Sequence, residues 1–277
     1  MALEVEVRSH ARSQPAPADQ DQAYRGGVAI GEVLRFGAGL LVLVGTVLAV
    51  AHAAGVHLGW APLTAMLRAT VQLAVVALVL RGVLDVAWTV VAFVALMLAT
   101  ASWTAAGRLR ELWWGRRAAL AGVVVGSAVS VGLVLVLHLV ELEVRYVVAV
   151  AGILVGNAMS AATLAGRGFL RASRQRRDEV EAWLALGATP SWAHLEIGRE
   201  SAREALLPTL DQTRSTGLVT LPGAFVGALF GRASPAVAAQ FQLVVLAGIA
   251  VAMTVCVVVV TRLLGRSPYV TTATALD

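Results

Sequence analysis

Arg68 and Gln72, one helical turn apart, and the run Gly156-Asn157-Ala158-Met159-Ser160 are the polar side chains best placed to do chemistry within otherwise apolar sequence. An ionisable group at membrane depth is costly unless it faces a polar interior or a partner. Arg68 therefore marks a pathway or a structural pair, unless its long stem carries the guanidinium to an interface. Asn157 and Ser160 can hydrogen-bond between helices, and the Met159 thioether is a soft ligand for some transition metals, although a lone membrane methionine more often only packs. Leu221-Pro222-Gly223 interrupts a later apolar run. It frees backbone carbonyls that are tolerated only where protein or a water-filled cavity covers them. Thr213 before this break and Gln242 after it complete a candidate wall for a substrate path.

Other chemistries fare poorly. His52, His57, His138 and His194 are scattered, with no zinc-ligand spacing and no carboxylate partner in a recognisable motif. The single cysteine, Cys256, leaves no intramolecular disulfide or multi-cysteine metal site. All basic residues are arginine, so the lysine-bearing phosphate loop of nucleotide hydrolases is missing and no cofactor is expected in this chain. A membrane enzyme would need a nucleophile or several carboxylates at membrane depth, whereas the acids read as lying mostly in tails and loops.

The elements that must position these residues are membrane helices. The chain is 58% hydrophobic and 14% charged, against about 25% charged for a soluble domain, which predicts an all-α polytopic membrane protein. Runs of the necessary length lie near Phe36–Ala54, Pro62–Leu80, Val86–Ala106, Ala118–Val140, Tyr146–Ala165, Leu218–Phe230 and Val237–Leu264. The sixth is short and glycine-rich, either continuous with preceding residues or a broken helix. Residues 1–35 read as a polar, loosely ordered tail without signal-peptide character, 36–265 as one transmembrane domain, and 266–277 as a second tail.

Orientation follows from arginine. Arg108, Arg110, Arg116 and Arg117 follow the third span, and Arg167, Arg171, Arg174, Arg176, Arg177, Arg199 and Arg203 follow the fifth, which places both links on the cytoplasmic side. With seven spans the N-terminus is then outside and the C-terminus inside a cell's inner, plasma membrane. The basic balance is explained by this placement better than by nucleic-acid binding. Glycine pairs at four-residue spacing, Gly122/Gly126, Gly152/Gly156 and Gly223/Gly227/Gly231, suit close helix packing or a dimer face.

The expected cytoplasmic excursion, residues 167–206, contains Glu181-Ala182-Trp183-Leu184-Ala185-Leu186-Gly187. Val180, Trp183 and Leu184 share one helical face and Gly187 supplies a helix end. Thr189 is a candidate N-cap before Pro190 at the first position of a second helix. A short helix at such an elbow can dock into a partner's groove or lie on the bilayer surface.

At these residues the chain resembles the FetB-like ABC transporter permeases, bacterial iron exporters related to a plant aluminium-tolerance permease. The resemblance is carried by Gly156 to Leu164, Glu179 to Ala182, Leu186 to Pro190 and Gly217 to Gly223, with Arg68, Gln72 and Leu73 supporting the first half. It implies a half-transporter that homodimerises and pairs with a separate ATP-binding subunit, which would hold ATP and Mg. Glu181, Ala182 and Gly187 also fit the Glu-Ala-Ala-x-x-x-Gly coupling loop of ABC permeases, with Trp183 in place of the second alanine. The chain departs from the family at Ser160, where Asn is usual, at Thr213, where Met is frequent, and at Ala224–Ala228, where methionines are common. These changes weaken an iron inference without touching the ABC inference.

The rival class is an autonomous ion-gradient-driven transporter or channel. It calls for inverted repeats and matched intramembrane acids, which the sequence does not display.

Overall fold

A computed structural model describes residues 18–83 and 87–268, with side chains outside 18–30 and 80–88. The outer parts of both expected tails, residues 1–17 and 269–277, and Val86 of the third expected span lie outside the described residues. Apart from one isolated bridge, the described regular structure is helical. This follows from the composition, because hydrocarbon cannot satisfy backbone N–H and C=O groups and a helix satisfies them internally.

Where the sequence reads as one domain, contacts divide the chain into two units, Met1–Val79 and Leu80–Asp277. The first holds α1 (Ala18–Ala53) and α2 (Ala61–Val83), whose last residues pass into the second unit. Helix α1 starts well before the apolar run at Phe36, and its membrane-crossing window is Gly31–Ala53.

The second unit contains α3 (Ala87–Arg108), α4 (Gly115–Val136), α5 (Val144–Gln175), α6 (Arg177–Ala185), α7 (Pro190–Ala193), α8 (Leu195–Ser215), α9 (Gly223–Phe230) and α10 (Pro235–Leu264). Helix α10 is central, packed on α4, α5, α8 and α9. Ser234 caps its start by accepting the Val237 N–H at 3.4 Å, with Pro235 at the first helical position. Helix α4 reaches α10 through Gly122 and Gly126. A Cβ added at Gly126 would stand 2.5 Å from the Ala252 carbonyl oxygen, so only hydrogen fits there. These glycines serve packing within the chain, the ordinary purpose of small residues between membrane helices. The seam is locked by the buried Ser130 hydroxyl donating to the Gly248 carbonyl at 2.6 Å, and by the Cys256 thiol donating to Ala158 O across α5.

Pairwise contacts give each helix a direction. Gly152 meets Met97 and Gly166 meets Leu109, so α3 and α5 run parallel. Tyr146 packs on Phe241 and Leu154 on Gly248, so α5 and α10 run parallel as well. Helices α4 and α8 return the other way. The arginines of the α3–α4 link, the end of α5, the start of α8 and the end of α10 consequently gather at one end of this unit. The 137–143 link, with Glu141 and Glu143, lies at the other.

Two expectations change. Six helices among the described residues are long and apolar enough to span a membrane, and Leu218–Phe230 is not one of them. Only Gly223–Phe230 is helical there, an eight-residue element. The expected excursion over 167–206 is also mostly helix packed on helix. Residues up to Gln175 extend α5, and those from Leu195 begin α8, with Gly168 against Ser201. The connection proper is the 176–194 elbow. Hydropathy missed α8 because its exposed face is charged, while Ile197, Gly198, Ser201 and Ala205 bury the other.

Candidate functional site

Two places gather the residues of interest: a discontinuous crossing along α10 and the elbow at the arginine-rich end.

The crossing is assembled from α8, the 216–222 break and α9. Gly198 lies against Thr261, the Thr209 hydroxyl donates to the Met253 sulfur at 3.1 Å, and Gln242 Oε1 accepts the Phe225 N–H at 3.1 Å. As the chain advances through α8 and α9, its partners on α10 retreat from position 261 to 242. At 1.5 Å per residue this covers about 28 Å, close to the thickness of hydrocarbon. The break is a tight turn in which Gly217, with φ of 92°, donates to Thr220 O, and the N–H groups of Val219 and Thr220 both reach Ser215 O. Pro222 then serves as N-cap of α9. Leu221, Pro222 and Gly223 thus mark the joint between two half-helices, and the buried Gln242 braces the second of them by taking an otherwise orphaned N–H.

Thr213 lines a groove of about 360 Å³ between α8 and α10, with Thr209, Leu210, Leu243, Met253 and Thr254. Met253 and Thr209 were missed by sequence reasoning. Met253 is a thioether within a Val/Ala run, and nothing local ties it to a residue 44 positions away. Asn157 and Ser160 sit on α5, bonded back to Ile153 O and Gly156 O of their own helix. Met159, half-buried, packs against the core. Arg68 and Gln72 belong to the first unit, on exposed positions of α2.

Asp211 and Arg214 were also overlooked, because they fall between the expected excursion and the sixth apolar run. They pair at 3.2 Å in the last two turns of α8, between the Thr209–Met253 contact and the break. Both side chains are largely exposed in the isolated chain. Charges at such a depth persist when paired or facing water. Asp211→Ala leaves Arg214 without its ion-pair partner and should lower folded yield or transport. The reversed pair Asp211→Arg/Arg214→Asp should recover most of the loss in the same assay.

The elbow is rigid. Helix α6 ends in a Schellman motif, with Ala188 N–H on Trp183 O, Gly187 N–H on Leu184 O, both at 3.0 Å, and Gly187 at φ of 86°. Thr189 occupies the next N-cap position with Pro190 following, but its hydroxyl makes no capping bond. Val180 is fully buried and Leu184 packs on the core, whereas Trp183 turns away from the face expected for it and is 43% exposed. Leu186 and Trp192 are exposed as well. Below them, buried His194 stacks on Phe169 and its Nδ1 meets Pro190 O at 2.9 Å.

Ion pairs fix the base of the elbow. Arg176 reaches Glu179 at 2.8 Å and Glu200 of α8 at 3.2 Å, and Arg177 reaches Glu181 at 2.6 Å. The Arg176 hydrogen bond holds the Glu179 carboxyl below its ordinary range. Its contribution to folding is therefore complete at neutral pH and is lost only as pH falls through that lowered value.

The four histidines named from sequence divide by unit. His52 and His57 line one hollow of about 490 Å³ with Trp60 in the first unit. No group of three or more His, Cys, Asp or Glu among the described residues could hold a metal ion.

Residues 37–269 match the Uncharacterised protein family (UPF0014). The chain belongs to this family. The match extends the likeness seen in the second half of the sequence across nearly all of α1 to α10. Among its relatives are the UPF0014 membrane protein STAR2 of Oryza sativa subsp. japonica, 36% identical over 66% of this chain and 65% of the relative, and Protein ALUMINUM SENSITIVE 3 of Arabidopsis thaliana, 33% identical over 65% and 66%. The chain thus spans just under two thirds of the length of these two plant proteins. The Probable iron export permease protein FetB of Escherichia coli (strain K12) is 29% identical over 64% of this chain and 70% of that protein. No solved structure matches the chain.

Proposed function

We propose that this chain is the membrane-spanning permease subunit of an ABC exporter, moving a metal ion or small polar solute with energy from a separate ATP-binding subunit. The observation that carries the reading is the elbow: a Schellman-capped helix at the arginine-rich end that presents Trp183, Leu186 and Trp192 to the outside while Val180 and Leu184 anchor it to the bundle. Its first turn is acidic, with Asp178 and Glu179, and Glu181 follows. Helices that bind membrane surfaces are instead basic on their polar face, so a protein groove is the better occupant. The likeness to a protein named as an iron export permease supports a metal cargo, and the plant relative named for aluminium sensitivity supports a metal of hard character equally well.

In this reading the arginine-rich end is cytoplasmic, the N-terminus lies outside a plasma membrane, and the discontinuous crossing lines the path. The charged exposed face of α8, with Glu204, Asp211 and Arg214, would be costly against lipid. A second copy of this chain across a shared aqueous cavity covers it, giving a homodimer with two ATPase subunits. ATP and Mg bind those partners. Closure of the nucleotide sites then moves each elbow as a rigid body and rocks α8 against α10.

The test is affinity purification of the tagged chain from its native membrane, with mass spectrometry of stoichiometric partners. Recovery of a Walker-motif ATPase that is lost on Glu181→Lys supports the proposal. Recovery of this chain alone, together with transport by the purified protein without nucleotide, would replace it with an autonomous transporter.

A further inference from the structure

We infer that the arginine-rich end carries a binding site for the phosphodiester headgroup of an anionic membrane lipid, in the pocket between α8 and α10. The pocket holds about 390 Å³, and its charged lining is Arg199 from α8, Arg262 from the last turn of α10 and Arg266 just beyond it. Arg199 is shared with Glu196 at 3.6 Å, whereas Arg262 and Arg266 make no ion pair among the described residues. Both of these guanidinium groups are thus without an ion pair, and guanidinium is the group best shaped to grip phosphate oxygens.

The carbonyls nearest these arginines each already accept one backbone N–H. Thr261 O takes the Gly265 N–H, Leu263 O takes that of Arg266 and Leu264 O takes that of Ser267. The other wall is apolar and runs deeper along the bundle, through Leu195, Ala202 and Val258. Val258 lies eight residues before Arg266, about 12 Å along the helix. Charge at the end and hydrocarbon behind it match a headgroup with its acyl chain, and basic pockets between membrane helices are a known form of headgroup site. Ser191 and His194 of the elbow line the same pocket, so an occupant would tie the elbow to α10. The inference does not depend on ATP coupling.

The shared chemistry, a phosphate anion, could also come from solution, and the test separates the two. The full chain is purified in mild detergent and exchanged into zwitterionic nanodiscs with graded phosphatidylglycerol. Retained lipid is counted by native mass spectrometry, and melting is followed. About one anionic lipid per chain, with raised melting temperature, is expected. Arg199→Gln/Arg262→Gln/Arg266→Gln should weaken retention roughly a hundredfold, at about fivefold per basic residue. Arg110→Gln/Arg116→Gln/Arg117→Gln, at the same end but outside the pocket, should retain it, and both triple variants should melt normally in purely zwitterionic discs. Equal loss in the two triples would reduce the effect to general surface charge and overturn the site. Protection by inorganic phosphate equal to that by lipid would overturn the lipid assignment.

Discussion

On the proposed ABC reading, Trp183→Glu is expected to uncouple the protein from its ATP-binding subunit while leaving the bundle folded. Trp183 stands on the outer face of α6, so the variant loses little internal packing, and Val180 and Leu184 still hold the helix in place. A tryptophan buried in a partner's groove contributes about 2 kcal/mol or more, so its loss should weaken ATPase association by roughly thirtyfold. A carboxylate buried in its place makes the loss larger. Stimulated ATP hydrolysis in reconstituted vesicles is the readout. Unchanged stimulation by Trp183→Glu alongside a normal complex would remove α6 from the coupling path.

Gly126→Val should prevent α4 from docking on α10. The first added carbon already falls 2.5 Å from the Ala252 carbonyl oxygen and 2.9 Å from Cys256 Cβ. Backbone cannot step aside as a flexible side chain can, so even Gly126→Ala should cost about 1–3 kcal/mol, the usual range for overpacking. The branched variant should cost more and pull the buried Ser130–Gly248 hydrogen bond out of register. Gly132→Ala on the same helix meets nothing within 4 Å and should be neutral. Detergent-resistant melting of the three variants distinguishes them: equal melting temperatures would mean that the α4–α10 seam is slack.

Much of the architecture was legible because the bilayer simplifies the problem. A run such as Val237–Leu264 has no stable option in hydrocarbon except a helix, so composition alone determines it. The arginine clusters likewise specify which links share an end, and the structure brings them there. The elbow was readable from local rules, since Gly187 ends α6 and Pro190 starts α7 through backbone preferences that need no distant partner.

What the sequence could not convey depends on distant contacts. Helix α8 is too polar for a hydropathy window, and only its burial of Ile197, Gly198, Ser201 and Ala205 against α5 and α10 makes it part of the bundle. That placement pairs Asp211 with Arg214 beside the break and gives Thr213 its groove. Trp183 illustrates the same limit on a smaller scale. Periodicity grouped it with Val180 and Leu184, but which arc of an amphipathic face meets protein is decided by the neighbouring helices. The sequence by itself determined where helices form and which ends carry charge, because those follow from transfer and backbone hydrogen bonding. Which side chains meet, from Met253 with Thr209 to Gln242 with the first turn of α9, was decided only by tertiary packing, because such contacts arise from close approach between segments far apart in the chain.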